Sequence, residues 1–149
     1  MRLPKEFEYF VKKGIIRKIT PDKARAKFLI EESETSLQGL KERVKIIGIN
    51  NKNANSIIKD CYDIIMGLIR ANLLSKGYSS SGNYSHEGEI SYLKKIKFKD
   101  IEVSFLNSLR YYRNSAIYYG KILDREYAQK VFHFLKKIIK RLREEIVNI

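Results

Sequence analysis

The chain has 149 residues, of which 44% are hydrophobic and 32% are charged, and its formal net charge is +13. This size suits one domain with a full core, the single cysteine excludes a disulfide within the chain, and no signal peptide or membrane-spanning stretch is visible, so we expect a cytoplasmic protein. The positive charge favours a polyanionic partner such as RNA, DNA, a nucleotide or an acidic protein, although a lysine-rich solvated surface produces the same charge.

Three helices are predicted in the first half of the chain. A short helix covers residues 4–13. Thr20 and Pro21 then predict the start of a long helix, with Thr20 as its cap and Pro21 in the first helical position. This helix ends at Gly48, and its apolar residues recur at intervals of three and four: Ala26, Ile30, Leu37, Leu40, Val44 and Ile47. The third helix, over residues 54–76, is apolar around most of its circumference, so it is either central in the fold or shared with a second subunit.

One long loop and three further helices are predicted in the second half. The loop covers residues 78–87 and leads into a short helix over about 87–95. Asp100 is the predicted cap of a helix that continues into residues 109–120, and Asp124 is the predicted cap of the last helix. The last helix has an apolar stripe and an opposite basic side, formed by Lys136, Lys137, Lys140, Arg141 and Arg143. That basic side is either a solvated face or a surface that follows a phosphate backbone.

The pattern of elements predicts an all-α fold. No segment shows the strict alternation of a strand, and no Asn-Gly or Asp-Gly hairpin turn is present. We therefore expect an antiparallel four-helix up-and-down bundle with additional short helices. Neither a repeat nor a linker interrupts the chain, so one domain is expected over residues 1–149, with its core at about 21–146.

The segment 109–120 is an apolar helical stretch that carries a polar cluster. Its candidate ligand-binding residues are Arg110, Arg113, Asn114, Tyr118 and Tyr119. An arginine can hold a phosphate with two parallel hydrogen bonds, the amide can hold the arginine, and the tyrosines can stack on a base or donate a hydroxyl. The alternative is structural: the tyrosines pack and cap a helix end, while the arginine pairs with a carboxylate of another helix.

Signatures of other chemistry are absent from the sequence. It contains neither a Gly-x-x-x-x-Gly-Lys-Ser/Thr phosphate loop nor a Gly-x-Gly-x-x-Gly motif. The two histidines, His86 and His133, do not form a spaced ligand set with Cys61, so we expect no metal and no cofactor.

Most of the chain, from about residue 21 to 146, resembles the HEPN superfamily, the higher eukaryotes and prokaryotes nucleotide-binding domain. Residues 20–29 resemble the first long helix of that family. Residues 61–78, followed by Ser85-His86-Glu87-Gly88, resemble its second long helix and the loop after it.

The signature helix of that family resembles residues 109–120. In the family, an arginine and usually a polar residue precede a histidine by four to six positions. Arg113 and Asn114 match the arginine and the polar residue, whereas the histidine position falls on Tyr118 or Tyr119. The anion-binding half of the signature is therefore present, and its acid–base half is replaced.

The resemblance implies a helical homodimer whose active relatives are metal-independent endoribonucleases. Their arginine steadies the phosphate, and their histidine helps to activate the ribose 2′-hydroxyl. A tyrosine has a reference pKa near 10, so only about a thousandth of it is ionised at pH 7 and it does not replace a histidine as base. We therefore expect a degenerate motif that binds RNA or a nucleotide.

Two alternatives remain open from the sequence. One is an endoribonuclease of toxin type, in which Arg113 and Tyr118 are the catalytic residues. The other is suggested by the family, whose members also occur as partners of small nucleotidyltransferases in toxin–antitoxin pairs. In that case the protein is the partner subunit of such an enzyme.

Overall fold

The computed structural model describes residues 1–118 and 123–146, without the side chains of residues 115–118. These residues are mostly helical, which confirms the predicted helical class. Six helices and two short strands follow one another in the described ranges: α1 Phe7–Lys12, β1 Ile16–Lys18, α2 Lys23–Ile47, α3 Ala54–Lys76, β2 Tyr78–Ser80, α4 Ser85–Lys95, α5 Asp100–Tyr118 and α6 Arg125–Glu145. No helix among them is both long and apolar enough to cross a bilayer.

The helix α3 is the centre of the structure. It contacts α2, α4, α5 and α6, and most of its side chains are buried. Its predicted bounds are confirmed, and Gly77 ends it in the left-handed conformation (φ 88°), which glycine adopts without strain. Because helices of the same chain cover α3 on several sides, its apolar circumference is explained by a central position.

The apolar stripe predicted for α2 is confirmed except at its end. Ala26, Leu37 and Leu40 are buried, but Ile47 is 65% exposed, so its predicted burial was wrong. Ile49, just beyond the helix, packs against the core instead.

Two of the three predicted helix caps were wrong. Asp22, not Thr20, caps α2: its side chain accepts a hydrogen bond from the Arg25 amide at 3.0 Å. The segment before it is held by α3, because the Asp22 amide donates to the carbonyl of Leu74 at 2.9 Å. At α5, Asp100 is the first helical residue rather than the cap. The side chain that hydrogen-bonds to the backbone at the start of this helix is that of Glu102.

The Glu102 side chain accepts a hydrogen bond from the Lys99 amide at 2.9 Å, as an acidic residue in the first turn of a helix often does. The third cap was predicted correctly. Asp124 begins α6, and its side chain accepts from the Tyr127 amide at 2.9 Å.

The expectation of no strand was also wrong. β1 and β2 pair antiparallel, with Ile16 opposite Ser80 and Lys18 opposite Tyr78. Strands of three residues are too short for alternation to be read from the sequence, and they are far apart in the chain, so no hairpin turn marks them. The predicted loop is therefore a strand at its beginning and helix α4 from Ser85 onward.

Candidate functional site

The helix α5 places Arg110 and Arg113 on one face, because residues three apart are neighbours on a helix. Arg110 donates from Nε to Oδ1 of Asn107 at 3.0 Å, and its Nη2 lies 3.7 Å from Oε1 of Glu87 on α4. Arg113 lies with Nη2 3.6 Å from Oδ1 of Asp63 on α3. Both ion-pair distances are longer than a hydrogen bond, so neither guanidinium is hydrogen-bonded to its carboxylate.

The guanidinium of Arg113 is largely buried, with 20% of the side chain exposed. Its Nε has no hydrogen-bond partner among the described residues. The guanidinium carbon lies 5.6 Å from the centre of the Tyr62 ring, within range of a cation–π contact. A buried donor without an acceptor typically lowers the stability of the fold by about 1–3 kcal/mol, and by more when it is charged. An anionic ligand that accepts a hydrogen bond from this Nε would remove that cost.

The helix α4 brings a histidine to the same place. His86 lies in its first turn, and Nδ1 of His86 is 3.0 Å from the hydroxyl oxygen of Tyr62 on α3. Tyr84, just before this helix, has a φ of 67°, a left-handed conformation that is uncommon for a residue other than glycine. His86 from α4, Tyr62 from α3 and Arg113 from α5 thus lie in one site, because the Tyr62 ring contacts both of the other side chains.

The electrostatics of this site favour the neutral form of His86. Burial lowers the pKa of His86, and the positive charges of Arg70 and Arg113 lower it further, against the opposing effect of Glu89 and Asp63. Burial also raises the pKa of Tyr62, so its hydroxyl stays protonated at neutral pH. That hydroxyl can donate to Nδ1 or accept from it, and this choice decides whether the other ring nitrogen, Nε2, carries the proton.

The ion pair between Arg70 and Glu89 holds the helix that carries His86 against α3. Glu89 on α4 is 1% exposed and accepts two hydrogen bonds from Arg70 on α3, at 2.8 and 2.9 Å. Ser80 on β2 donates to the same carboxylate at 2.5 Å. The pKa of Arg70 is raised because of its bond to Glu89. The bidentate geometry fixes α4 against α3 and so fixes where His86 lies.

A groove of about 400 Å³ runs between α2 and α3 beside this site. The groove is lined by Asp63, which lies near Arg113, and by Arg70, which pairs with Glu89. Its remaining lining is mixed, with the hydroxyls of Ser33 and Ser36 and the ion pair between Arg43 and Asp60 at 2.8 Å. Among the described residues no group of three His, Cys, Asp or Glu side chains is arranged to hold a metal.

The structure brings together only part of the predicted ligand-binding cluster. Arg110 and Arg113 lie three residues apart on α5, and each lies near a carboxylate of another helix, as the structural alternative requires. Asn114 is half-buried on the same helix. Tyr118 is the last residue of α5, but its side chain and the whole of Tyr119 lie outside the described residues, so their roles stay predictions.

Sequence reasoning missed His86, Tyr62 and Asp63 as members of the site. The signal was weak but present, because Ser85-His86-Glu87-Gly88 is part of the family resemblance. Nothing next to His86 in the sequence indicates Tyr62 as its partner, because their contact spans 24 residues of sequence.

Comparison with protein-family models, with curated proteins and with solved structures gives no match to this chain.

Proposed function

We propose that this protein is a HEPN-like helical bundle that binds RNA or a nucleotide, with the phosphate held by Arg110 and Arg113. The observation that carries the proposal is the state of Arg113: a largely buried guanidinium with one donor unpaired and its carboxylate 3.6 Å away. Asn114, Tyr118 and Tyr119 complete the binding site in this proposal, and the protein acts in the cytoplasm as a homodimer.

The loose ion pairs explain how such a site can exchange partners. Asp63 and Glu87 balance the two arginines without forming hydrogen bonds to them. A phosphate that enters between the guanidinium groups gains charge-assisted hydrogen bonds, while the weak ion pairs are little disturbed. The tight pair of Arg70 and Glu89 is different, because its donors and acceptors are already engaged.

Titration of labelled single-stranded RNA and of nucleotides against two variants tests the proposal. Arg113→Ala removes the candidate contact, and Arg17→Ala removes the same charge from an exposed position on β1. We expect a loss of affinity of about 10-fold or more for Arg113→Ala and a much smaller loss for Arg17→Ala. Equal affinities of the two variants at two salt concentrations would refute the site assignment.

A metal-independent endoribonuclease is the second candidate, and the position of His86 favours it. A neutral imidazole can accept the proton of a ribose 2′-hydroxyl as the 2′-oxygen forms a bond to phosphorus. The bond from phosphorus to the 5′-oxygen then breaks, a 2′,3′-cyclic phosphate forms, and the 5′-oxygen takes up a proton. In this role Arg113 stabilises charge on the phosphate, and Tyr118 can orient it.

Incubation of the protein with RNA in the presence of EDTA distinguishes the two candidates. Cleavage that His86→Asn and Arg113→Ala each abolish, while His133→Asn does not, would establish the enzyme. His133 is exposed on α6 and serves as the matched control. RNA that is bound but left intact supports the binding module alone.

A further inference from the structure

The exposed side of α6 carries a row of lysines without a carboxylate among them. Its members are Lys130, Lys136, Lys137 and Lys140, which we call the α6 lysine face. No Asp or Glu occurs between Glu126 and Glu144. At 3.6 residues per turn the four lysines fall within about a third of the helix circumference. The row from the first to the last spans about 15 Å along the axis.

The lysines of this face form no salt bridge within the described part of the chain, although Glu126 and Glu144 lie one helical turn beyond Lys130 and Lys140. Neighbouring basic residues do find partners: Arg141 binds Glu102 at 2.9 Å and Arg143 pairs with Glu34. The four lysines have no such carboxylate in the ranges that the structure describes. The Nζ atom of Lys136 lies 4.9 Å from the centre of the Phe132 ring, and Lys130, Lys137 and Lys140 are exposed to solvent.

The opposite side of α6 is fully used by the core. Val131, Leu135, Ile138 and Leu142 are 0% exposed. A helix that inserts into a lipid surface needs a free apolar side next to its basic side, and α6 has none. The α6 lysine face is therefore suited to a polar partner with closely spaced negative charges.

We propose that the α6 lysine face binds the phosphate backbone of a nucleic acid strand without recognising its bases. Lysine ammonium groups contact phosphates as mobile point charges, and each contact releases counterions from the nucleic acid. This surface shares no residue with the Arg113 site, so the inference goes beyond the proposed function and does not depend on it. It assigns to α6 a salt-sensitive, sequence-independent share of binding.

Two triple variants with the same net charge test the proposal. One carries Lys130→Gln, Lys137→Gln and Lys140→Gln on α6, and the other carries Lys23→Gln, Lys27→Gln and Lys41→Gln on the exposed side of α2. Glutamine and lysine have similar helix propensities, so both variants should fold, which circular dichroism verifies. The probe is a labelled oligouridylate of about twelve nucleotides, titrated between about 50 and 200 mM salt.

We expect the α6 variant to bind about 10- to 100-fold more weakly at low salt. Its slope of log affinity against log salt should also become shallower by about two, because each phosphate that is no longer neutralised reduces the slope by about 0.7. The α2 variant should change by less than about threefold, and Arg113→Ala should keep most of the salt slope. Equal reductions in affinity in the two triple variants would overturn the proposal, because net charge alone would then explain binding. Weaker binding to anionic lipid vesicles with unchanged binding to RNA would also overturn it.

Discussion

The helices α2 and α3 approach closely where Gly67 faces Ser33. A Cβ added to Gly67 would lie 2.7 Å from Oγ of Ser33, closer than real Cβ atoms lie to a neighbour, and Ser33 is only 6% exposed. Overpacking of this kind costs about 1–3 kcal/mol. Alanine in place of a helical glycine returns about 1 kcal/mol through helix propensity. We therefore expect Gly67→Ala to lower the free energy of unfolding by up to about 2 kcal/mol.

Two companion variants isolate the cause. Gly39 in α2 has no atom within 4 Å of an added Cβ, so Gly39→Ala should keep only the helix gain and raise the free energy of unfolding by about 1 kcal/mol. Ser33→Ala combined with Gly67→Ala removes the clash, and the coupling between the two changes should be about 1–2 kcal/mol.

Urea denaturation followed by circular dichroism measures all of these free energies, provided that the slope m is unchanged. If Gly67→Ala proves as stabilising as Gly39→Ala, the close approach of α2 and α3 is refuted. The result bears on the site, because this approach sets the width of the groove that Asp63 and Arg70 line.

Three further predictions concern the site and its assembly. Because burial lowers the pKa of His86, the folded protein binds fewer protons than the unfolded chain as pH falls through the ordinary histidine range near 6.5. The free energy of unfolding should therefore decrease on acidification, by at most about 1.4 kcal/mol per pH unit. In urea denaturation at several pH values, His86→Asn should make this dependence on pH shallower, whereas His133→Asn should not. Glu89→Gln leaves the half-buried Arg70 without its carboxylate and should destabilise the fold by about 2 kcal/mol. The loss is smaller than for a fully buried pair because 34% of the Arg70 side chain is exposed. An unchanged thermal unfolding temperature would contradict this prediction. Light scattering at micromolar concentration should give twice the monomer mass, and a monomer would count against the homodimer.

The helices of this fold were predictable because long periodic patterns with clear stops determine them. The stripe of α6 and the apolar length of α3 each identify a helix without knowledge of its neighbours. The errors occurred where tertiary contacts decide a local feature. Asp22 replaces Thr20 as a cap because the preceding segment is hydrogen-bonded to the end of α3, and β1 exists only because β2 lies beside it.

The candidate site shows the same division between local and tertiary information. Arg110 and Arg113 were identified because polar groups inside an apolar helix stand out in a one-dimensional pattern. His86 was not, since nothing within its own segment indicates that Tyr62 will meet its ring. The part of α5 that the structure describes carries no histidine, but packing of α4 against α3 brings His86 to Tyr62, whose ring centre lies 5.6 Å from the guanidinium carbon of Arg113. The absence of a histidine next to Arg113 in the sequence therefore does not imply a site without an acid–base group, and RNA cleavage assays on His86→Asn distinguish an enzyme from a binding module.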